Sequence, residues 1–355
     1  MLFTSNERER YSRQILLPEF GERGQKSLKT ARAMIIGAGG LGSPAALYLA
    51  AMGIGTLGIV DDDYVAISNL QRQILYRESD VGRRKTSVAR ERLSEINSSV
   101  TIQPVEARLR RENALDILRG FDLVLDGSDN FSTRNLVNDV CLVHDIPLIS
   151  ASILQFEGQL SVFCAPDGPC YRCLFPNASG SGSVLSCAEA GVIGALAGVM
   201  GTMMAMEAVK VIAKIGEPLV GRLMLYNALE GNFRSVRVKR DPACIMCSRP
   251  IDKRRLPESY ETDTCLDAAW QMSWQEFERI SMPLVDVREE QEFYEQPSRG
   301  KLIPLGLLLD RLHELPNEKF GIVCASGVRS LEAASLLRSK GFDAVSIRGG
   351  MNAIC

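Results

Sequence analysis

The sequence predicts an α/β protein: a doubly wound domain with a mixed sheet and a structural zinc site, followed by a small second α/β domain. Three observations carry this. A short apolar run, Ala33-Met34-Ile35-Ile36, breaks into Gly37-Ala38-Gly39-Gly40-Leu41-Gly42 and then into an alanine-rich helix, Ala45 to Ala51. That is the strand–turn–helix setting in which the spacing G-x-G-x-x-G binds phosphate. Further apolar runs alternate with helical stretches, as in a parallel sheet. Two Cys-x-x-Cys pairs, Cys170/Cys173 and Cys244/Cys247, stand far apart in sequence yet suit one tetrahedral zinc with four sulfurs.

Composition narrows the classes. A chain of 355 residues has room for two domains. With 24% charged residues and a formal net charge of −2, it offers no basis for a nucleic-acid or membrane surface. No apolar run is expected to reach the ~20 residues of a membrane span. The polar stretch Met1 to Arg13 does not read as a signal peptide. Ten cysteines without an export signal point to a reducing compartment, where thiols serve as metal ligands or nucleophiles. The expected location is the cytoplasm.

In chain order, Glu7 to Ile15 reads as a charged helical arm containing Arg10 and Arg13, which by themselves fit a solvated surface. The glycine turn after Ile36 lets backbone N–H groups and a helix dipole meet negative charge. The next strand, Thr56 to Val60, ends at Asp61, where a carboxylate can accept from ribose hydroxyls. Taken alone, these features make the domain Rossmann-like and fit a nicotinamide dehydrogenase equally well. The polar loop Ser68-Asn69-Leu70-Gln71-Arg72-Gln73, and Lys85 in the segment ahead of a helical stretch, add two cations, which suits a triphosphate better than a dinucleotide. Val100 to Val105 and Phe121 to Asp126 continue the strands. The latter opens into Gly127-Ser128-Asp129-Asn130, placing Asp126 and Asp129 where a parallel sheet binds ligands. Either carboxylate could hold magnesium, and a helix N-cap is the competing role for Asp129. Pro147 to Ala151 is a fifth strand.

Between the two cysteine pairs, Asn177 to Ser183 reads as a flexible loop, and Cys187 follows it ahead of a long, Met-rich helical stretch reaching about Ile215. Thiol chemistry and buried packing both fit Cys187. Tyr226 to Lys239 reads as strands that make the sheet mixed. The domains are expected at 1–250 and 264–355, joined by a polar linker at 251–263.

In the second domain, Trp274 to Ile280 is a short helix, Pro283 to Glu289 a buried strand ending in charge, and Phe320 to Cys324 a strand that delivers Cys324 at its C-terminal tip. Cys324 to Ser330 reads as a loop leading into a helix from Leu331 to Lys340. Its N–H groups, the helix dipole and Arg329 should favour a thiolate or a persulfide anion. The same loop suits an arsenate reductase or a phosphatase.

Taken together, these residues resemble a known family. Glu7 to Pro250 is similar to the MoeB/ThiF adenylyltransferases, relatives of ubiquitin-activating enzymes. The likeness runs through Arg10-Tyr-Ser-Arg13-Gln-Ile, Gly37-Ala-Gly-Gly-Leu-Gly42, Ser68-Asn-Leu-Gln-Arg72-Gln, Asp126-Gly-Ser-Asp129-Asn130 and both cysteine pairs. The last ~90 residues resemble a rhodanese domain through Val285-Asp-Val-Arg288-Glu, the Cys324 loop and Ile347-Arg-Gly-Gly350-Met. The tandem resembles the fused adenylyltransferase–sulfurtransferases that serve ubiquitin-like sulfur carriers.

The resemblance implies ATP as substrate, with Gly40 and Asp61 holding the adenosine part, Gly37, Gly39 and Gly42 shaping the nucleotide-binding turn, and Ser68, Asn69, Arg72 and Lys85 on the phosphates. It implies magnesium on Asp129 and the nucleotide on Asn130. Arg13 would reach the γ-phosphate in a partner subunit of a homodimer. Structural zinc would sit on Cys170, Cys173, Cys244 and Cys247, Cys187 would act as a sulfur relay, and Cys324 as the persulfide. The partners implied are a MoaD/ThiS-like carrier and a sulfur donor such as a cysteine desulfurase or thiosulfate. The pathway would be molybdopterin or thiamine biosynthesis or a related thiolation. The alternative acceptor is another carboxylate, on a peptide or a tRNA, with a degenerate rhodanese domain. The chain departs from the rhodanese pattern in its short Glu295 to Pro304 link without histidine and in its last residues, Asn352 to Cys355.

Overall fold

The computed structural model of the chain describes residues 3–176, 191–258, 260 and 270–354. The described residues up to Tyr260 form one compact unit and those from 270 onward a second.

The first unit opens with helices α1 (Ser5–Arg10), α2 (Ser12–Ile15) and α3 (Gly21–Thr30). The expected arm is thus helical but broken at Tyr11, whose buried hydroxyl accepts from the side-chain amide of Asn97 at 2.8 Å. Next come β1 (Arg32–Ile36), α4 (Gly42–Ala51), β2 (Thr56–Val60), α5 (Lys85–Ile96), β3 (Thr101–Val105), α6 (Arg111–Leu118), β4 (Leu123–Asp126), α7 (Phe131–His144) and β5 (Leu148–Leu154). β6 (Glu157–Phe163), α8 (Tyr171–Leu174), α9 (Gly194–Ala213), β7 (Arg222–Asn227) and β8 (Asn232–Arg237) complete the unit. The strands form one sheet in the order β3-β2-β1-β4-β5-β6-β7-β8. The neighbours from β3 to β5 run parallel, and those from β5 to β8 antiparallel.

Side chains alternate across β1. Ala33 and Ile35 face a core shared with α4, α5 and α9, while Met34 and Ile36 face one shared with α6 and α7. Burial on both faces is why these strands read as continuous apolar runs rather than alternating ones. The strand order reverses between β1 and β4, and the carboxyl ends of β1, β2 and β4 therefore open onto one crevice.

Two expectations need correction. α9 is 20 residues long and apolar enough, by length and composition, to cross a membrane, contrary to the reading that no run reaches that length. Half of its apolar window is buried, it packs on α4 and β5, and it carries the paired charges Glu207 and Lys210. Nor do residues 251–258 and Tyr260 hang as a linker. Leu256 and Tyr260 pack on the α6/α7 core, the Tyr260 hydroxyl donates to Asp139 at 2.9 Å, and Arg254 donates to the Leu142 carbonyl at 2.7 Å.

The second unit holds β9 (Gln271–Met272), α10 (Trp274–Arg279), β10 (Leu284–Asp286), α11 (Glu290–Glu295), β11 (Lys301–Leu302), β12 (Phe320–Val323), α12 (Val328–Ser339) and β13 (Ala344–Ile347). Its sheet is parallel throughout, in the order β11-β10-β12-β13-β9. The Cys324 loop is shorter than expected, because α12 begins at Val328 rather than at Leu331.

Candidate active site

At the crevice lies a cleft of about 440 Å³ lined by the turn after β1, the end of β2, the loop before α5 and the loop after β4. The turn needs its last glycine. A Cβ at Gly42 would stand 1.9 Å from the Gly37 carbonyl oxygen, so any side chain there would force the turn open.

Asp61 ends β2 with its carboxylate held from two sides. Oδ2 accepts from the Ala38 N–H and Oδ1 from the Asp63 N–H, each at 2.8 Å. Burial pushes its carboxyl above the usual range. Lys85, the first residue of α5, is buried with its Nζ 2.8 Å from Asp63 Oδ2. The loop that carries Asp63 is clamped to α5 by the Arg84 guanidinium, which lies 4.0 Å over the Tyr64 ring and donates to the Asp62 carbonyl at 2.6 Å. Arg72 reaches the cleft with its Nη1 donating to the Ser68 carbonyl at 3.1 Å.

After β4, Asp126 is fully buried, its Oδ1 accepting from the Ser128 N–H at 2.9 Å, and burial raises its carboxyl. Arg134 donates to the Ser128 carbonyl at 2.5 Å and to the Ala151 carbonyl at 3.2 Å, so Ser128 is pinned through both its N–H and its C=O. Asp129 is thereby presented on the exposed rim. The helix N-cap is Asn130 and not Asp129: Asn130 Oδ1 accepts from the Thr133 N–H at 2.8 Å. Among the described residues, the exposed Asp129 carboxylate accepts a long 3.3 Å bond from the Asn130 amide, which leaves room on it for a cation.

The structure therefore brings Gly37, Gly39, Gly40, Asp61, Asn69, Arg72, Lys85, Asp129 and Asn130 to one cleft, with Gly42 behind the turn. It does not bring Ser68, which takes part only through the carbonyl that holds Arg72. Arg13 is exposed and lines no part of this cleft, and Cys187 lies outside the described residues, as does the Asn177 to Ser183 loop. Sequence reasoning missed Asp63, Gln73, Arg108 and Arg134 as cleft residues. Among the described residues, Gln73 buries its side-chain oxygen without a hydrogen-bond partner. The signal for Arg134 was its position four residues past Asn130, one helical turn into α7.

Behind α7, the sulfurs of Cys170, Cys173, Cys244 and Cys247 all lie within 4.8 Å of one another. Their contacts are 3.8 Å (Cys170–Cys173), 3.6 Å (Cys170–Cys244) and 3.4 Å (Cys173–Cys247). A tetrahedral zinc at about 2.3 Å from each sulfur demands an edge of about 3.8 Å, so the donor set fits. Asp139 on α7 holds this knuckle through two 2.8 Å bonds from Arg172.

In the second unit Cys324 sits at the tip of β12, and it is fully buried rather than displayed on a loop. Its Sγ accepts from the N–H of Gly327 at 3.1 Å and of Ser330 at 3.3 Å. Arg329 does not stand as a lone cation over the thiol: its guanidinium binds both oxygens of Glu292, at 2.7 and 2.6 Å, and holds that carboxyl below the usual range. The turn after β13 closes over the Cys324 loop. The Met351 N–H donates to the Cys324 carbonyl at 2.8 Å, and a Cβ at Gly350 would come within 2.2 Å of that oxygen.

The profile of the ThiF family matches residues 11–246. The chain is 49% identical over 261 residues to the sulfur carrier protein adenylyltransferase of Thermus thermophilus, covering 72% of this chain and 96% of that one. It is 41% identical over 358 residues to the probable adenylyltransferase/sulfurtransferase MoeZ of Mycobacterium tuberculosis, covering 96% and 91%. The crystal structure of E. coli MccB with ATP aligns with a TM-score of 0.58 at 25% identity, over 64% of this chain and 70% of that one.

Proposed function

The chain belongs to the ThiF family, and on that premise we propose that it activates and thiolates the C-terminal carboxylate of a ubiquitin-like sulfur-carrier protein. It is an adenylyltransferase with sulfurtransferase activity. The observation that carries the reading is the convergence of Arg72, Lys85 and the Gly37–Gly42 turn on a cleft rimmed by Asp129.

ATP would occupy that cleft with its ribose on Asp61 and its phosphates against the turn, Arg72 and Lys85. The carrier carboxylate attacks the α-phosphorus, the bond to the bridging oxygen breaks, and pyrophosphate leaves with its charge met by these cations. The carboxylate is already the nucleophile, so no general base is needed, and positioning does the rest. Asp129 would hold magnesium, which when bound neutralises phosphate charge. Arg13, exposed and outside its own cleft, would serve the cleft of a second copy in a homodimer. The four cysteines would hold zinc as a structural pin between β6, the end of β8 and α7.

The second unit is read as the rhodanese domain. A sulfur donor, thiosulfate or a desulfurase persulfide, gives its outer sulfur to Cys324. The resulting persulfide attacks the acyl-adenylate and AMP leaves. Cys187 would then attack Cys324 Sγ, releasing the carrier thiocarboxylate and leaving a disulfide for an external thiol to reduce. A reducing cytoplasm suits that last step.

The test is intact mass spectrometry of a MoaD/ThiS-like carrier incubated with this protein, magnesium ATP and thiosulfate. Conversion of carboxylate to thiocarboxylate adds about 16 Da. An acyl-adenylate without that gain would confine the chain to activation. Absence of both products, with AMP formed on a peptide or tRNA carboxylate instead, would favour the alternative acceptor.

A further inference from the structure

Cys324 Sγ has a third polar neighbour besides its two N–H donors, the hydroxyl of Ser330 at 3.6 Å. Ser330 and Ser346 are both fully buried, with their hydroxyl oxygens 2.8 Å apart, and Ser330 Oγ also lies 3.1 Å from the Gly327 carbonyl. A hydroxyl has one hydrogen to donate and two lone pairs to accept with. While the thiol is protonated, these contacts use all three: Cys324 and Ser346 donate to Ser330, and Ser330 donates to Gly327.

When the thiol gives its proton to solvent, the sulfur stops donating. Ser330 can then turn its hydrogen onto the sulfur while Ser346 continues to donate into its oxygen. The Gly327 carbonyl is not orphaned by this rotation, because it also accepts from the Leu331 N–H at 3.2 Å. No buried acceptor is lost in either state, so the rotation carries no desolvation cost.

We propose that Ser330 is a further catalytic residue, a rotating hydroxyl that stabilises the sulfur-accepting thiolate of Cys324, with Ser346 on the adjacent strand as its positioning residue. The inference rests on the reading of Cys324 as the sulfur-carrying nucleophile. Nearby charges are already engaged. Arg329 on α12 is paired with Glu292 on α11, Arg288 with Asp286 at the end of β10, and Arg348 after β13 donates to Gln271 at 3.3 Å. Stabilisation by oriented dipoles takes the place of an open cation.

The test is the rate of Cys324 modification by iodoacetamide across the pH range, followed by peptide mass spectrometry in the full chain. Opening motions that expose the buried thiol scale the rate alike at every pH and leave the midpoint unmoved. Ser330→Ala should raise the midpoint by about one pH unit, the loss of one hydrogen bond to a charged sulfur. Ser346→Ala should raise it by about half as much, and Ser330→Thr, which keeps the hydroxyl, should restore it. Thermal unfolding of each variant checks that the domain is intact. An unmoved midpoint in Ser330→Ala, or a Ser330→Thr variant that behaves like it, overturns the proposal. Shifted midpoints in a protein whose Cys324 gains no sulfur from thiosulfate or a desulfurase persulfide would uphold the hydroxyl pair and overturn the sulfur reading instead.

Discussion

The cleft of the first unit and the Cys324 pocket of the second are one device at two scales. Each places a turn at the carboxyl end of a parallel strand and aims backbone N–H groups from a loop or helix start at a negative atom. In the first unit the device encloses about 440 Å³ and leaves Asp129 exposed on its rim. In the second it closes on a single sulfur, 3.1 and 3.3 Å from two N–H donors, and the guanidinium of Arg329, in the helix that follows the loop, is tied to a carboxylate. The difference follows from the ligand. A triphosphate would carry enough charge to require side-chain cations, whereas a single sulfur is met by backbone dipoles.

The strongest test of that comparison is a double dissociation. Asp129→Ala should abolish carrier-dependent ATP–pyrophosphate exchange and leave thiosulfate:cyanide sulfur transfer intact. Cys324→Ala should do the reverse. A variant that loses both activities would mean that the two sites do not act as separate centres.

Metal removal comes next and should divide the units by stability. Cys244→Ser, or chelation, breaks the four-sulfur site of the first unit only. With structural zinc contributing at least several kcal/mol to folding, the first unit should melt more than about 10 °C lower by circular dichroism. Both tryptophans, Trp270 and Trp274, belong to the second unit, so the fluorescence transition should stay where it was. A metal content well below one zinc per chain would refute the assignment.

The smallest effect concerns the Glu292–Arg329 pair. Because Arg329 lowers the Glu292 carboxyl in the folded state, the pair's contribution is complete above the ordinary glutamate range and fades as pH falls through the lowered value. Tryptophan-monitored urea midpoints at neutral pH and at a pH below the ordinary glutamate range should therefore differ more in the native chain than in Glu292→Gln. Glu292 is partly exposed, which keeps the difference small. Equal differences in the two proteins would show that the pair does not stabilise the unit.

Much of the fold was legible because its signals are local. The run Ala33 to Ile36, the glycines that follow and Asp61 at the end of the next strand each declare a strand, a turn or a strand tip within a few residues. The spacing of the cysteine pairs likewise announced a shared site that β6, α8 and the residues after β8 then assemble. β6 escaped notice because Glu157 to Phe163 mixes polar and apolar residues, and one of its two partners, β7, lies about 60 residues further along the chain. The linker misreading has the same origin: Arg, Lys, Glu and Pro look like a tether, and only Asp139 and Leu142 on α7, more than 100 residues away, reveal that Tyr260 and Arg254 are fastened.

By itself the sequence determined which chemical groups are present and which strands and turns carry them, since those follow from neighbours along the chain. Tertiary structure alone decided how charges are shared and how far a group is exposed. It paired Arg329 with Glu292, gave Lys85 to Asp63, made Asn130 rather than Asp129 the helix cap, and buried Cys324 against Ser330 and Ser346. Burial and ion pairing are properties of what packs around a group. For Cys324 that includes Ser346, on a strand that meets β12 only after the chain has passed through α12.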